Sequence, residues 1–325
     1  MSTVSVTARG EIGADPSPPR EASAASGMVM AAFVVMVLLG GANFVAVRFS
    51  NVELPPFWGA GSRFFAAAVI LALIGLALRV PFPTGRTLVG ASLYGLLGFG
   101  AFYALAYVGL QEASAGSGAV LLSLAPLTTF LLAVVQRQER FRWRALMGAM
   151  VALAGIVVMF GAPGGVPLGS VVAFLGAAVA VGEAGVIAKW FPKAHPVSMN
   201  AAAMGVGSVL LLALSLVAGE SWALPTRAAT WAALVYLILP GSVGLFVLFL
   251  FILKRWSASR TSYAFVLFPV VASLMGLWLE GDPITAALAV GGVIVLGGVY
   301  VGALHGAMSG EPPREVVTKF PTRRQ

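Results

Sequence analysis

The chain has 325 residues, of which 59% are hydrophobic and only 10% are charged. A water-soluble domain carries about 25% charged residues, so this composition excludes an ordinary soluble protein and indicates helices embedded in a bilayer. The 39 glycines are typical of membrane helices that pack closely. The sequence holds no cysteine, which excludes disulfides, thiolate metal sites and cysteine nucleophiles within it.

Both ends of the sequence are polar. Residues 1–27 are rich in Ala, Ser, Pro and Gly, which predicts a disordered cytoplasmic N-terminus and not a cleaved signal peptide. Residues 305–325 hold four basic residues and predict a solvated cytoplasmic tail. A net charge of +8 is compatible with nucleic-acid binding, but we interpret it as the excess of basic residues that membrane proteins keep on their cytoplasmic side.

Ten apolar stretches are each close to the roughly 20 residues that a helix needs to cross the hydrocarbon. We number them as spans 1 to 10. They lie at 28–48, 57–79, 87–109, 116–136, 143–161, 168–188, 197–218, 229–253, 259–279 and 285–304. Short connections rich in Pro and Gly separate them.

The basic residues orient these spans. With the N-terminus in the cytoplasm, 17 of the 20 Lys and Arg residues fall on the cytoplasmic side, and only Arg48, Arg63 and Arg227 fall at or near the outer side. Five acidic residues fall outside, namely Glu53, Glu112, Glu220, Glu280 and Asp282. A wrong span count would mix the signs, so the asymmetry favours ten spans with both termini in the cytoplasm.

The two halves of the sequence resemble each other at a nearly constant offset. Gly41, Arg48 and Pro55 recur 141 residues later as Gly182, Lys189 and Pro196; Glu139 recurs as Glu280, Pro126 as Pro269, and Gly155 as Gly297. Since five spans is an odd number, the second copy must enter the membrane from the opposite side, as in many secondary transporters. The alternative is chance recurrence of Gly and Pro, against which the alternating loop charges argue.

The sequence also resembles a known family over about residues 28–304. The matching pieces are Gly40-Gly41-Ala42-Asn43-Phe44, Arg48, Pro55, Arg63, Ala113-Ser114-Ala115, Leu124-Ala125-Pro126-Leu127, Glu139-Arg140, Gly155, Ser257-Ala258-Ser259, Pro269, Glu280 and Gly297. In these it resembles the drug/metabolite transporter superfamily of the EamA type, including its bacterial amino-acid exporters. It departs from many members in having Gly40-Gly41 in place of Trp-Gly, and its second half has no counterpart of Arg63.

The resemblance implies an all-α fold of two inverted five-helix EamA repeats, at 28–162 and 168–304, around a central cavity. Spans 1, 3, 4, 6, 8 and 9 would line this cavity, with spans 5 and 10 at the periphery. The cargo that the resemblance implies is a small metabolite, often an amino acid that leaves the cell.

Three polar residues within the spans are candidates for substrate contact. Glu183 is the only acid inside a predicted span, so it either binds a substrate ammonium or a proton, or forms a structural pair near the cytoplasmic end. Asn43 needs hydrogen-bond partners in hydrocarbon, which a substrate or a neighbouring helix can supply. For Arg63 the sequence favours snorkelling or pairing at the outer interface, with Glu53 as the candidate partner, over substrate binding.

Aromatic residues and prolines supply the remaining candidates. Tyr94, Tyr103 and Tyr263 are the tyrosines that we expect to line the cavity, although packing is the alternative for each of them. Pro126 and Pro269 are predicted in the middle of repeat-related spans, where each removes a backbone hydrogen bond. They are candidate hinges for alternating access, with a static kink as the alternative.

No enzyme is predicted. The spans contain no aspartate, both histidines (His195 and His305) lie near span ends, and no phosphate-binding glycine loop is present. We therefore expect a multi-pass carrier of the cytoplasmic (inner) membrane that needs no cofactor or metal and exports amino acids or related metabolites. Efflux of cationic drugs is the alternative, and both the energy coupling and a homodimeric state stay open.

Overall fold

The computed structural model describes residues 20–110, 112, 118, 121–161, 166–280 and 285–304, and all regular secondary structure in these residues is helical. We number the helices α1 to α10 in chain order, so that each falls on the span of the same number. The first five are α1 (Arg20–Ser50), α2 (Pro56–Ala77), α3 (Gly85–Gly95, continued by a π-helical turn at Leu96–Ala101 and by Phe102–Leu110), α4 (Ala125–Val135) and α5 (Trp143–Phe160).

The second five follow the same plan. They are α6 (Leu168–Trp190), α7 (Pro196–Val217), α8 (Ala228–Ile238, continued by a π-helical turn at Leu239–Gly244 and by Leu245–Leu253), α9 (Ala258–Ser262 and Ala264–Glu280) and α10 (Ala286–Val299, with a π-helical turn at Tyr300–Leu304). The predicted tail 305–325, the motif Ala113-Ser114-Ala115 and the loop that contains Asp282 lie outside the described residues.

Seven of these helices are long and apolar enough to cross a membrane. They are the helices of spans 1, 2, 3, 6, 7, 8 and 9, whereas Ala125–Val135, Trp143–Met159 and Ala289–Gly302 are shorter apolar helices at spans 4, 5 and 10. The structure therefore shows a multi-helix membrane protein, and the count of ten crossings stays a prediction. The outward faces fit a lipid environment, because large apolar side chains such as Leu76, Leu216 and Val293 are exposed on them.

The start of α1 differs from the expectation. Residues 20–27 are helical, although the composition predicted disorder as far as residue 27. The run Glu21-Ala22-Ser23-Ala24-Ala25 explains the difference, because alanine and glutamate are strong helix formers and extend the apolar helix backwards.

Antiparallel packing of equivalent helices shows that the two halves are inverted. Near the start of α2, Gly61 packs on Leu212 near the end of α7, while Gly75 near the end of α2 packs on Val197 near the start of α7. Helices α2 and α7 hold the same place in their halves, so these equivalent helices of the two halves run in opposite directions. Helices α5 and α10 pack on each other in the same antiparallel way, with Gly155 against Val295.

The contacts between the halves come in repeat-related pairs. Helix α1 packs on α9, and its equivalent α6 packs on α4. Gly41 of α1 lies against Val271 of α9 just as Gly182 of α6 lies against Thr129 of α4. The two π-helical turns, Leu96–Ala101 and Leu239–Gly244, also begin 143 residues apart. A pseudo-two-fold axis therefore relates the halves.

One predicted match is off by a residue. The sequence paired Gly155 with Gly297, but Gly297 is exposed, with no atom within 4 Å of an added Cβ. Gly298 occupies the equivalent place, since it packs on Gly148 as Gly155 packs on Gly291. The offset there is 143 residues, as for the π-helical turns, and the recurrence of glycine alone does not reveal which of two adjacent glycines faces the partner.

Carboxylates cap the first turns of helices on the side that the sequence predicts to be outside. Glu53, between α1 and α2, accepts hydrogen bonds from the backbone N–H groups of Thr226 and Arg227, both 3.1 Å away, at the start of α8. The hydroxyls of Thr226 and Thr230 and these N–H groups lower the pKa of Glu53 to about 2. A negative charge at a helix N-terminus is stabilised by the exposed N–H groups and the helix dipole, so Glu53 joins the loop after α1 to α8.

Glu220 forms a second cap on the same side. Its carboxylate accepts hydrogen bonds from the N–H groups of Phe57 (3.1 Å) and Trp58 (2.7 Å) in the first turn of α2, and from the hydroxyl of Ser215 (2.7 Å). Trp58 stacks on Trp222 with the ring centroids 4.6 Å apart. The loop between α7 and α8 is thereby fixed to the start of α2.

A third cap lies on the predicted cytoplasmic side. Glu139, in the loop between α4 and α5, accepts hydrogen bonds from the N–H (3.0 Å) and the hydroxyl of Ser259 in the first turn of α9, and pairs with Arg142 at 3.2 Å. Each of the three caps joins two segments that the charge pattern assigns to the same side of the membrane as each other. Each cap also links the first half of the chain to the second.

Candidate functional site

Aromatic side chains of α2, α3 and α8 meet in the core. The ring centroid of Phe64 lies 5.1 Å from that of Phe99 and 4.8 Å from that of Tyr103. Phe246 of α8 joins them, 4.5 Å from Phe99. We call Phe64, Phe99, Tyr103 and Phe246 the aromatic cluster. It contains residues from both halves, as a site between two inverted repeats requires.

Two of the three predicted cavity tyrosines belong to this region. Tyr103 is a member of the cluster, and Tyr94 adjoins it, with its ring 5.5 Å from Phe99 and stacked parallel to Phe249 at 6.4 Å. Tyr94 retains only 3% of its surface. The structure thus brings Tyr94 and Tyr103 together on α3, on either side of its π-helical turn. Such turns are frequent at functional sites because they re-aim the side chains around them.

Arg63 is the residue whose place differs most from the expectation. It is 3% exposed, and its guanidinium carbon lies 4.5 Å from the ring centroid of Phe64 and 5.0 Å from that of Tyr103. Its Nε atom is buried and has no hydrogen-bond partner. The predicted snorkelling and pairing with Glu53 are therefore wrong. The side chain turns inward to α3, and Glu53 is bound to the start of α8 instead.

Two tyrosines of α3 lie near this arginine. The hydroxyl-bearing rings of Tyr103 and Tyr107 both lie within electrostatic range of the Arg63 guanidinium, and Tyr107 also lies within range of Glu220. The Tyr107 ring packs edge-on against Phe57 in the first turn of α2, with the centroids 6.4 Å apart. Tyr107 thus lies between the buried cation and the carboxylate that caps α2.

Asn43 ties α1 to α8. Its Nδ2 group donates a hydrogen bond of 2.9 Å to the carbonyl of Gly241, within the π-helical turn of α8. Gly241 carries no side chain, and a Cβ there would overlap the amide of Asn43. The hydroxyl of Tyr236 donates to the carbonyl of Leu39 one turn earlier on α1. The Oδ1 atom of Asn43 is buried against Gly241 and has no hydrogen-bond partner among the described residues, so only the amide nitrogen joins the two helices.

Glu183 has a protein partner. Its carboxylate accepts a hydrogen bond of 2.6 Å from Nε2 of Gln136, just after the end of α4. Gln138 donates to the carbonyl of Val186 one turn further along α6. Glu183 is half-buried and precedes the last residue of α6 by seven positions, which is about 10 Å along the axis. The structural pair and the functional role remain compatible, because a hydrogen bond from a neutral amide leaves the charge available.

Tyr263 lies apart from the other candidates. Its hydroxyl donates a hydrogen bond of 2.8 Å to the carbonyl of Ala145 on α5, and its ring packs on Gly302 beyond α10. Its ring carbons belong to the packing of α1, α5 and α9, which includes Met36 and Ile156. The hydroxyl of this side chain is thus bound to α5 and its ring packs against α10, which agrees with packing, the alternative stated for this tyrosine.

The two prolines differ from each other. Pro269 lies inside the second segment of α9, where it removes a backbone hydrogen bond as predicted. Pro126 lies in the first turn of α4, just after a turn at Ser123 and Leu124. A proline in the first turn removes no helical hydrogen bond, since that N–H has no intrahelical acceptor. The hydrogen bond that Pro126 was expected to remove is therefore not lost, and the break in this span, which is also helical at residues 118, 121 and 122, precedes the proline.

Comparison with known proteins identifies relatives along the whole helical region. Residues 26–161 and 168–303 each match the EamA-like transporter family. A protein of Streptantibioticus cattleyicolor named as a probable terminal-alkyne amino-acid exporter is 32% identical over 277 residues, which are 83% of this chain and 91% of that protein.

Two further relatives have less specific names. An uncharacterized inner membrane transporter of Escherichia coli K12 is 29% identical over 78% of this chain and 83% of its own. An uncharacterized transporter of Bacillus subtilis is 28% identical over 84% of this chain and 96% of its own. One solved crystal structure superimposes with a TM-score of 0.73 at 20% identity, over 88% of this chain and 99% of that one. This last likeness shows the fold alone.

Proposed function

Because the chain belongs to the EamA-like transporter family, we propose that it exports amino acids, neutral or aromatic ones included, or related small metabolites across the cytoplasmic membrane by alternating access. The observation that carries the proposal is the similarity to a named amino-acid exporter, which extends over most of both chains at 32% identity. Shared ancestry over both repeats favours a shared class of cargo more strongly than a fold match does.

The symmetry of the contacts supports alternating access. Helix pairs α1–α9 and α4–α6 are repeat-related, whereas α2–α7 and α5–α10 are each related to themselves. If α1–α9 opens while α4–α6 closes, or the reverse, the two halves exchange conformations while α2–α7 and α5–α10 stay in contact. The site then faces one side of the membrane after the other. Pro269, inside α9, and the break before Pro126 in span 4 are the proposed places where these helices bend.

The candidate residues take complementary roles in this proposal. The aromatic cluster with Tyr94 and Tyr103 provides an apolar wall for a side chain. The unpartnered Oδ1 atom of Asn43 accepts a hydrogen bond from the substrate. Glu183, near the predicted cytoplasmic end of α6, attracts the substrate ammonium on entry. Its carboxylate then binds the ammonium in place of the hydrogen bond that it accepts from Gln136.

Efflux of cationic drugs is the alternative function, and Arg63 argues against it. A buried guanidinium beside the aromatic cluster repels an organic cation that would otherwise stack on those rings. We therefore favour a cargo with an acidic group. The coupling is open between facilitated export and proton antiport, since Glu183 is the single acid within the predicted spans.

Competition in proteoliposomes tests the proposed function. The full chain is reconstituted, and uptake of a labelled neutral amino acid is challenged with each amino acid and with quaternary ammonium compounds, at two pH values. Saturable uptake that amino acids inhibit and the cations do not is the expected result. Inhibition by the cations alone would support the alternative function, and a rate that rises with an opposing proton gradient would establish antiport.

A further inference from the structure

We propose that Arg63 is the anion-binding residue of the transport site and that it holds the carboxylate of the cargo in the plane of its guanidinium group. This inference rests on the proposed transport function and narrows the cargo to carboxylates with an apolar body. Three observations support it: Arg63 is buried, its Nε atom has no hydrogen-bond partner among the described residues, and aromatic rings lie beside its guanidinium group.

An isolated charge in a membrane interior is costly and needs compensation. Arg63 is 3% exposed, and in the part of the chain that the structure describes no carboxylate forms an ion pair with it. The carboxylate of Glu220, which with Arg63 influences Tyr107, accepts hydrogen bonds from the N–H groups at the start of α2 and from Ser215. Tyr103, which shares a side-chain hydrogen bond with Arg63, and the other rings around it are neutral, so none of the described residues neutralises the charge of Arg63.

The fold does not require a charge at this place. The 141-residue offset that pairs Pro55 with Pro196 puts Met204 at the position that corresponds to Arg63. Met204 is fully buried. An apolar side chain therefore fills the same place in the second copy.

The geometry fits a carboxylate that approaches from one edge. The guanidinium carbon of Arg63 lies 4.5 Å from the ring centroid of Phe64 and 5.0 Å from that of Tyr103, and Tyr103 also shares a side-chain hydrogen bond with Arg63. Nε is without a partner. Nε and the neighbouring Nη on the same edge form the fork that binds both oxygens of a carboxylate in two parallel hydrogen bonds.

The neighbouring side chains define the rest of the ligand. Phe64, the next residue after Arg63, belongs to the aromatic cluster. Its ring centroid lies 5.1 Å from that of Phe99 and 6.3 Å from that of Phe246. A ligand whose carboxylate lies on Arg63 therefore places its remaining atoms against aromatic rings. An aliphatic or aromatic amino acid meets both requirements, and so does a simple apolar carboxylic acid.

Paired ligands that differ only in the acidic group test this assignment. Binding of leucine, leucinamide, 4-methylpentanoate and 4-methylpentanamide is measured by thermal stabilisation of the purified full chain, and by competition against labelled leucine in proteoliposomes. The wild type is expected to prefer each acid over its amide. Arg63→Gln is expected to lose this preference, with acid affinity down about 30-fold or more, because an unpaired buried carboxylate is strongly disfavoured.

Two further variants separate binding from folding. Arg63→Lys keeps the charge but loses the fork, so it should keep part of the preference. Arg86→Gln removes an exposed arginine at the start of α3 and should change nothing. Without ligand, Arg63→Gln should unfold at the same temperature as the wild type or higher, because the buried charge has no counter-ion among the described residues. A markedly less stable unliganded variant would overturn the assignment and make Arg63 structural.

The outcomes also separate this inference from the proposed function. Leucine transport without preference over leucinamide, or a preference that survives in Arg63→Gln, overturns the role of Arg63 and leaves the exporter intact. Arginine-dependent binding of 4-methylpentanoate without leucine transport supports the anion site and overturns amino-acid export. Failure of the wild type to bind either acid overturns both.

Discussion

The substitution Gly155→Ala tests the close packing of α5 on α10. A Cβ atom at this position would lie 2.7 Å from the backbone nitrogen of Val295 and 2.8 Å from the backbone oxygen of Gly291. Backbone atoms cannot rotate away as a flexible side chain can, so the helices must separate. Overpacking of this kind costs about 1–3 kcal/mol, while alanine gains at most about 1 kcal/mol over glycine within a helix. We expect Gly155→Ala to lower the free energy of unfolding by about 1 kcal/mol.

Gly297→Ala is the matched control on the partner helix. Position 297 is exposed and an added Cβ meets no atom within 4 Å, so only the propensity gain of up to about 1 kcal/mol remains. Titration of the purified protein from mild-detergent micelles into SDS, followed by circular dichroism, gives the free energy of unfolding of each variant. Equal stability of Gly155→Ala and Gly297→Ala would refute the packing described here. Gly298→Ala should behave as Gly155→Ala does.

Three further predictions concern carboxylates. Glu139→Ala should lower the free energy of unfolding by about 2–4 kcal/mol, and Glu139→Gln by less, because the cap on Ser259 is lost or only weakened; an unchanged SDS titration would contradict it. Since the pKa of Glu53 is lowered from 4.5 to about 2, its stabilising effect is full above its unfolded pKa and fades as the pH falls toward 2. Glu53→Gln should therefore cost stability near neutral pH but not at acidic pH, and a pH-independent cost in the same titration would count against the cap. Glu183→Gln should lower export more than membrane expression, whereas unchanged flux in proteoliposomes would leave Glu183 a structural residue.

The sequence predicted the plan of the fold well, for physical reasons. Hydrocarbon admits long apolar helices and loop charge sets their direction, so the inverted halves followed from spacing and charge. Helix starts such as Pro56 and Pro196 followed from the local chemistry of proline. The π-helical turn at Leu96–Ala101 was not predicted. Gly95 precedes this turn, and Gly98 and Gly100 lie within it. Glycine is common throughout this chain and marks many close contacts, so these three residues did not single out the turn.

The side chains of the site were harder to predict, because both faces of a membrane helix are apolar. Without an amphipathic pattern, the sequence does not separate Tyr103, beside Arg63, from Tyr263, which is bound to Ala145. One signal was available for Arg63. It stands seven residues after the start of α2, about 10 Å along the axis, which is a long reach for snorkelling. The depth of a charged residue within a span therefore points to function more reliably than the residue type alone.

Counterflow of leucine tests most directly whether this protein is a carrier with alternating access. Proteoliposomes containing the full chain are loaded with unlabelled leucine and diluted into a trace of labelled leucine. A carrier exchanges one molecule for another through a single site, so we expect transient accumulation of the label above its external concentration. Liposomes without protein are the control. Label that enters only to equilibrium, or does not enter, would contradict amino-acid export by alternating access.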